Sequence, residues 1–289
     1  MSEYGPIDFN EDFIVARHGI KPTVEDLASE EFKGISENGV ELARQQAHEW
    51  LGLLKNAPET SVLLLSPTSE QIRAKSSMRV MANEMKTIVS QDEELGISVI
   101  TEEDFADPKL TYNEMIKTII SKLNEQPDKK FVISAPLFIR GFALGPDRWM
   151  DKKGKPTKYL IDVLARNNKN EQAGLEDWIK NEGHLGDLEG PNPTQVAEEH
   201  IDGIQKLANF AGKYVPERPL IIGAIGHSWN LDALAIYLAN NRKVDMEGLS
   251  KVGGSMIKEM EPITLMSDQY GPKLKYGDRL EMLVEDYGK

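Results

Sequence analysis

Two hydrophobic periods take turns along this chain. The apolar run "DFIVA" (Asp12–Ala16) is short and unbroken, as in a strand buried on both faces. Behind a capping Ser36, Val40, Ala43, Ala47, Trp50 and Leu54 recur at helical spacing. "SVLLLSP" (Ser61–Pro67) predicts a second strand, stopped where proline removes a backbone donor. Ala74, Met78, Met81, Met85 and Ile88 mark the next helix, and "GISVI" (Gly96–Ile100) a third strand. A helix over Tyr112–Leu123 leads to another strand in "KFVISA" (Lys130–Ala135). Strands and helices in alternation predict an α/β fold, with a mostly parallel central sheet covered by helices on both faces.

The pattern then thins. Residues 136–190 are rich in Gly, Lys, Asp and Asn, with helical pieces at Lys158–Ala165 and Leu175–Lys180. Their sparse apolar content predicts an insertion or lid within a single domain spanning 1–289. Order returns at "NPTQ", where Asn192 caps, Pro193 suits the first helical position and Gln195 completes a capping box. Val196, His200, Ile204, Leu207 and Ala211 form the stripe of that helix. "PLIIGAIGHS" (Pro219–Ser228) predicts a strongly buried strand, followed by a helix over Leu231–Leu238. The tail from Gly253 onward alternates as an edge hairpin would.

Composition narrows the chemistry. Cysteine is absent, which removes disulfides, thiolate nucleophiles and cysteine zinc sites together. A net charge of -13 with no compensating basic block argues against nucleic-acid binding. Charges beyond about 8–10 Å are screened at physiological salt, so an anion site here has to be locally basic. No apolar run is long enough to span a bilayer, and the polar, acidic "MSEYGPIDFNED" lacks a secretory pattern. Cytoplasmic localisation is the expectation.

Open α/β sheets hold ligands at the carboxyl ends of their strands. Three predicted strands end in chemically capable residues: Arg17-His18-Gly19, Ser66-Pro67 leading to Arg73, and Gly226-His227-Ser228. Neither a Gly-x-x-x-x-Gly-Lys loop nor a Gly-x-Gly-x-x-Gly turn points to a nucleotide. "ARHG" (Ala16–Gly19), "GISENGVELAR" (Gly34–Arg44), "SPTSEQIRAKSS" (Ser66–Ser77) and "GHSWNLDAL" (Gly226–Leu234) together resemble the histidine phosphatase superfamily, which includes the phosphoglycerate mutases. The likeness runs from Phe13 to about Asp107 and again from Pro193 to Leu238. It departs at Arg73, which stands six residues after Pro67 where the family spaces the pair closely. Lys75 and Arg79 are the substitutes if the register differs.

The resemblance implies a phosphoglycerate mutase-like fold and catalysis by His18, which becomes phosphorylated, with Arg17, Arg73 and His227 around the phosphate and no metal or other cofactor. Gly19 would let the backbone approach. The proton donor falls nearest Asp107, in "FAD", with Glu102, Glu103, Glu182 and Glu189 as rivals. The residue types suit the task on their own terms. A phosphoryl group in transfer spreads negative charge over its oxygens, and arginine matches them with paired donors. Opposite charges about 4 Å apart are worth roughly 4 kcal/mol at an effective dielectric near 20, against about 1 kcal/mol for a neutral hydrogen bond. Nearby arginines would also keep His18 neutral and nucleophilic. The expected partner is a small phosphorylated substrate. Hydrolysis is favoured over mutase-type transfer, because "IKPTVEDLASEEFKG" replaces the Asn-rich loop typical of mutases. A non-catalytic phosphoryl-binding module is the third reading. Bland roles are expected for His48, His184 and His200, and for Met78, Met81 and Met85 as core residues. Arg140 and Arg148 are expected to face solvent.

Overall fold

The strand expected at the first apolar run is β1 (Asp12–Arg17), buried from Phe13 onward. A computed structural model gives the fold and describes residues 12–69, 71–105, 107, 110–134, 149–151, 155–215, 217–268 and 271–284. After β1 come α1 (Glu37–Asn56), β2 (Val62–Pro67), α2 (Ile72–Gln91), β3 (Ile97–Ile100), α3 (Tyr112–Glu125) and β4 (Lys130–Ile133). The next elements are α4 (Lys158–Arg166), α5 (Glu171–Lys180) and a small hairpin, β5 (His184–Leu185) with β6 (Leu188–Glu189). The chain continues through α6 (Pro193–Tyr214), β7 (Leu220–Gly226), α7 (Ser228–Ala239), α8 (Met246–Lys251), β8 (Pro262–Asp268), β9 (Gly271–Tyr276) and β10 (Leu280–Leu283).

The main sheet runs in the order β10-β9-β8-β1-β7-β2-β4-β3. From β1 to β3 every pairing is parallel. Alternate residues of these strands enter opposite layers, and both layers are dry. Ile14, Ala16, Leu63, Leu65 and Val132 pack with Trp50, Met78, Met81 and Met85 of α1 and α2. Phe13, Val15, Val62, Leu64, Phe131 and Ile133 pack with side chains of α3 to α7. Each large side chain fully withdrawn from water contributes roughly 1.5–3 kcal/mol, which is why these strands read as unbroken apolar runs.

The predicted caps form. Ser36 Oγ accepts from the Gly39 amide at 3.0 Å, and Asn192 Oδ1 from that of Gln195 at 3.1 Å. Thr111 and Glu114 add a capping box at α3. The tail forms antiparallel hairpins at the edge, as expected: β8 pairs antiparallel with β1, β9 with β8, and β10 closes the sheet on that side. Two expectations change. α7 begins at Ser228 rather than Leu231, which makes His227 its N-cap residue. The inserted region is richer in core than its composition implied, since Tyr159, Val163, Leu175, Trp178 and Ile179 are buried in the same cluster as the sheet. Arg140, Arg148 and the first part of the insertion lie outside the described residues.

Candidate active site

β1, β7 and β2 are neighbours, and their registers pair Arg17 with Gly226 and Pro67 with Ile225. The three strands therefore stop at one level on one edge. Two amides continue the ladder past the strand ends, His18 to Gly226 O at 2.9 Å and Thr68 to Ile225 O at 2.8 Å. The rings of His18 and His227 consequently meet edge to face, with centroids 5.2 Å apart.

His18 is 3% exposed, and its Nδ1 lies 2.8 Å from the Gly19 carbonyl. A carbonyl can only accept, so Nδ1 carries the hydrogen and the neutral ring keeps its lone pair on Nε2. Burial holds the His18 pKa well below the ordinary 6.5, helped by His227, Arg73 and, least, Arg17. The sequence argument had credited the arginines first; desolvation leads. His227 is pushed down to about 3 by burial, then by Arg73, His200, Lys21 and Arg17. Its Nε2 lies 2.7 Å from Ser69 Oγ, a partner that sequence reasoning missed. Both imidazoles are neutral near pH 7.

The close approach that Gly19 permits is to the backbone of α1. A Cβ there would lie 2.8 Å from the carbonyl oxygen of Gly39, in the first turn of α1. Its amide donates to Ser77 Oγ at 2.9 Å, and that hydroxyl donates to Arg73 O at 2.9 Å. The loop after β1 is thus tied to the first turns of α1 and α2, which fixes where Arg73 starts. Arg73 is half-buried and its charge acts on both histidines. The long spacing after Ser66-Pro67 does not remove it from the site. Arg79, the alternative, pairs with Glu102 at 2.8 Å.

Arg17 departs most from expectation. It is 4% exposed, and both terminal nitrogens are engaged: Nη1 donates to Ile257 O at 3.0 Å, and Nη2 meets Glu171 and Glu259, each at 3.0 Å. Nε is buried with no hydrogen-bond partner among the described residues. Glu171 also takes Lys21 Nζ at 2.9 Å. Burial would raise the Glu171 carboxyl, but Lys21 and Arg17 outweigh it and hold the pKa below its usual value. Three cations, Arg17, Lys21 and Arg73, therefore lie around the histidine pair, with the carboxylates of Glu171 and Glu259 among them. No periodic signal marked Lys21, Glu171 or Glu259.

The expected proton donor follows β3 along the chain. β3 is separated from β2 by β4, two strand spacings or roughly 10 Å. Asp107 lies beyond it, exposed, with its carbonyl accepting from the Leu110 amide at 3.1 Å. Glu103 is ion-paired to Lys86 at 2.6 Å, and Glu182 and Glu189 are exposed. Behind the site, Trp229 stacks on Trp178 and meets Trp149 edge to face, and Trp149 Nε1 donates to Asn230 Oδ1 at 2.7 Å. His200 is packed as expected, with Nδ1 2.8 Å from Val196 O. Among the described residues no group of three His, Asp or Glu is placed to hold a metal ion, and no helix is long and apolar enough to cross a membrane.

No protein-family model matches the chain, and no curated protein does. Solved structures with a similar arrangement include a mycobacterial glucosyl-3-phosphoglycerate phosphatase complexed with VO3, at 14% identity and TM-score 0.45, covering 93% of this chain and 100% of that one. A putative alpha-ribazole-5'-P phosphatase from Escherichia coli follows at 13% identity and TM-score 0.43, covering 92% and 95%. A phosphoserine phosphatase mutant from Entamoeba histolytica, in complex with phosphoserine, gives 12% and 0.40, covering 93% and 98%. Likeness this distant leaves the activity to be argued from the residues.

Proposed function

We propose that this protein is a phosphatase that hydrolyses a small phosphomonoester through a phosphohistidine on His18. The observation that carries the reading is the pair of buried, neutral imidazoles with centroids 5.2 Å apart, beside the cations Arg17, Lys21 and Arg73. The Nε2 lone pair of His18 attacks phosphorus as the ester P–O bond breaks. Arg73 and Lys21 balance charge on the phosphoryl oxygens, and His227 donates a hydrogen bond once Ser69 yields. Arg17 acts mainly as a buried positive charge beneath the site. Water then attacks the phosphohistidine, the P–N bond breaks, and phosphate leaves.

The departing alkoxide needs a proton, and Asp107 is the proposed donor, on the resemblance alone. Glu171, one of the two carboxylates on Arg17, is a poor candidate, because Lys21 and Arg17 keep it ionised. That same observation favours a second reading, a module that binds phosphoryl groups without turnover. One experiment separates them. Incubation with p-nitrophenyl phosphate in chelator, followed by rapid quench, should give phosphate release and an acid-labile, alkali-stable phosphoryl adduct. Both should vanish in His18→Ala. Oxyanion binding with neither adduct nor turnover, across a phosphomonoester panel, would establish the binding module instead.

A further inference from the structure

Asp232 is a buried carboxylate that the proposed chemistry does not use. It lies on α7, just past His227, and is 0% exposed. Its Oδ1 accepts from the Ile257 amide at 2.8 Å and from the Tyr276 hydroxyl at 2.5 Å. Ile257 turns its carbonyl the other way, to Arg17 Nη1 at 3.0 Å. Asp232 and Arg17 are therefore joined through one peptide residue.

The stretch around Ile257 wraps Arg17 at three points. Besides the Ile257 carbonyl, Glu259 meets Nη2 at 3.0 Å, and the Met260 amide donates to Arg17 O at 3.0 Å. This cradle has its own supports. Arg279 reaches Ser255 O at 2.7 Å, and Gln172 Oε1 accepts from the Met256 amide at 2.6 Å. Asp232 is the support that starts from the helix carrying the second histidine. A carboxylate taken fully from water is costly unless something needs its acceptor oxygen. Here one oxygen serves two donors, while Oδ2 is buried with no hydrogen-bond partner among the described residues. That asymmetry suits a group whose role is to accept at Oδ1.

We infer that Asp232 is a positioning residue for the oxyanion site: through the Ile257 peptide it locks the Arg17 guanidinium in line with the helix that presents His227. The inference rests on the phosphatase reading, since it assigns Arg17 a place beneath a bound phosphoryl group. Burial, which raises the Asp232 pKa to about 7, agrees with a carboxyl that serves by accepting rather than by charge. Asparagine should therefore replace it, because Asn keeps the acceptor oxygen, whereas leucine should not.

The test measures orthovanadate and inorganic phosphate binding by tryptophan fluorescence, with kcat and KM for p-nitrophenyl phosphate. Asp232→Leu should weaken oxyanion binding about tenfold, the scale of a hydrogen bond to a charged group, and raise KM more than it lowers kcat. Asp232→Asn should stay within about threefold of wild type. In an Arg17→Lys background, where Nη1 is gone, the Asp232→Leu effect should disappear. Should Asp232→Leu not fold, Tyr276→Phe, which removes one donor to Oδ1, carries the same cycle with a smaller effect. Additive effects of the changes at 17 and 232, or a loss in Asp232→Asn equal to that in Asp232→Leu, overturn the assignment while leaving the phosphatase reading intact. A wild type that binds neither oxyanion overturns both.

Discussion

Glu171 Oε2 lies 3.0 Å from Arg17 Nη2, although 154 residues separate the two along the chain. The other oxygen of the same carboxylate takes Lys21 at 2.9 Å. One side chain at the start of α5 therefore occupies two of the three cations beside the histidine pair. On the phosphatase reading, an incoming phosphoryl group has to share them with Glu171 or displace it.

Glu171→Gln should therefore tighten oxyanion binding. The glutamine keeps the shape and an acceptor oxygen but removes a negative charge from the cation cluster. Glu171 is 37% exposed, so the full Coulomb term is screened and about 1 kcal/mol is expected, or about fivefold in the inhibition constant of orthovanadate. Weaker binding in Glu171→Gln would mean that the carboxylate helps to build the anion site rather than compete for it.

Gly19→Ala should destabilise the protein by about 1–3 kcal/mol, as a steric rather than a chemical effect. The added Cβ would sit 2.8 Å from Gly39 O, and that oxygen belongs to a helix turn that cannot easily retreat. Gly39→Ala should cost a similar amount, since its Cβ would lie 2.8 Å from the Ile20 amide nitrogen. Urea unfolding checks both; an unchanged midpoint would show that the loop after β1 and the start of α1 adjust freely.

Acid should weaken the fold through the buried histidines. Burial lowers His227 to about 3 and His200 to about 4, and lowers His18 strongly, each from 6.5. The unfolded chain takes up these protons below pH 6.5 and the folded chain does not, so stability is full above 6.5 and is lost as pH falls toward 4. Asp232 opposes this, because its raised pKa favours the folded state at low pH and that contribution is lost between 3.8 and about 7. Three groups outweigh one. The melting temperature should fall by about 5–10 °C between pH 6.5 and 4.5, and less steeply in His227→Asn. Equal slopes in the two proteins would contradict a neutral, buried His227.

The strands that carry the site were legible because a parallel strand buried on both faces has no choice but to be apolar, so "DFIVA", "SVLLL" and "PLIIGAIG" announce themselves and their polar ends stand out. His18, His227 and Arg73 were found at those ends, and the structure joins them. What stayed hidden depends on tertiary contact. The pairing of β8 with β1 is a choice of neighbour, which alternation within β8 does not encode. The carboxylates on Arg17 come from α5 and from the stretch before β8, and an ion pair across such distances leaves no spacing to read. Trp178 is buried within an insertion of polar composition, since a single buried indole can anchor a helix whose neighbours are charged. Ser69 reaches His227 because β2 lies beside β7, a fact of strand order. Asp107 is the reverse case: the motif was legible, while β4 stands between its strand and β2.

That last position gives the sharpest check on the proton donor. If Asp107 protonates the departing oxygen, Asp107→Asn should hardly affect p-nitrophenyl phosphate, whose phenolate leaves without help. An alkyl phosphate, whose alkoxide needs the proton, should be slowed by about 10²–10⁴. The dependence of kcat/KM on leaving-group pKa should accordingly steepen in the variant. Parallel lines for wild type and Asp107→Asn would take the role from Asp107.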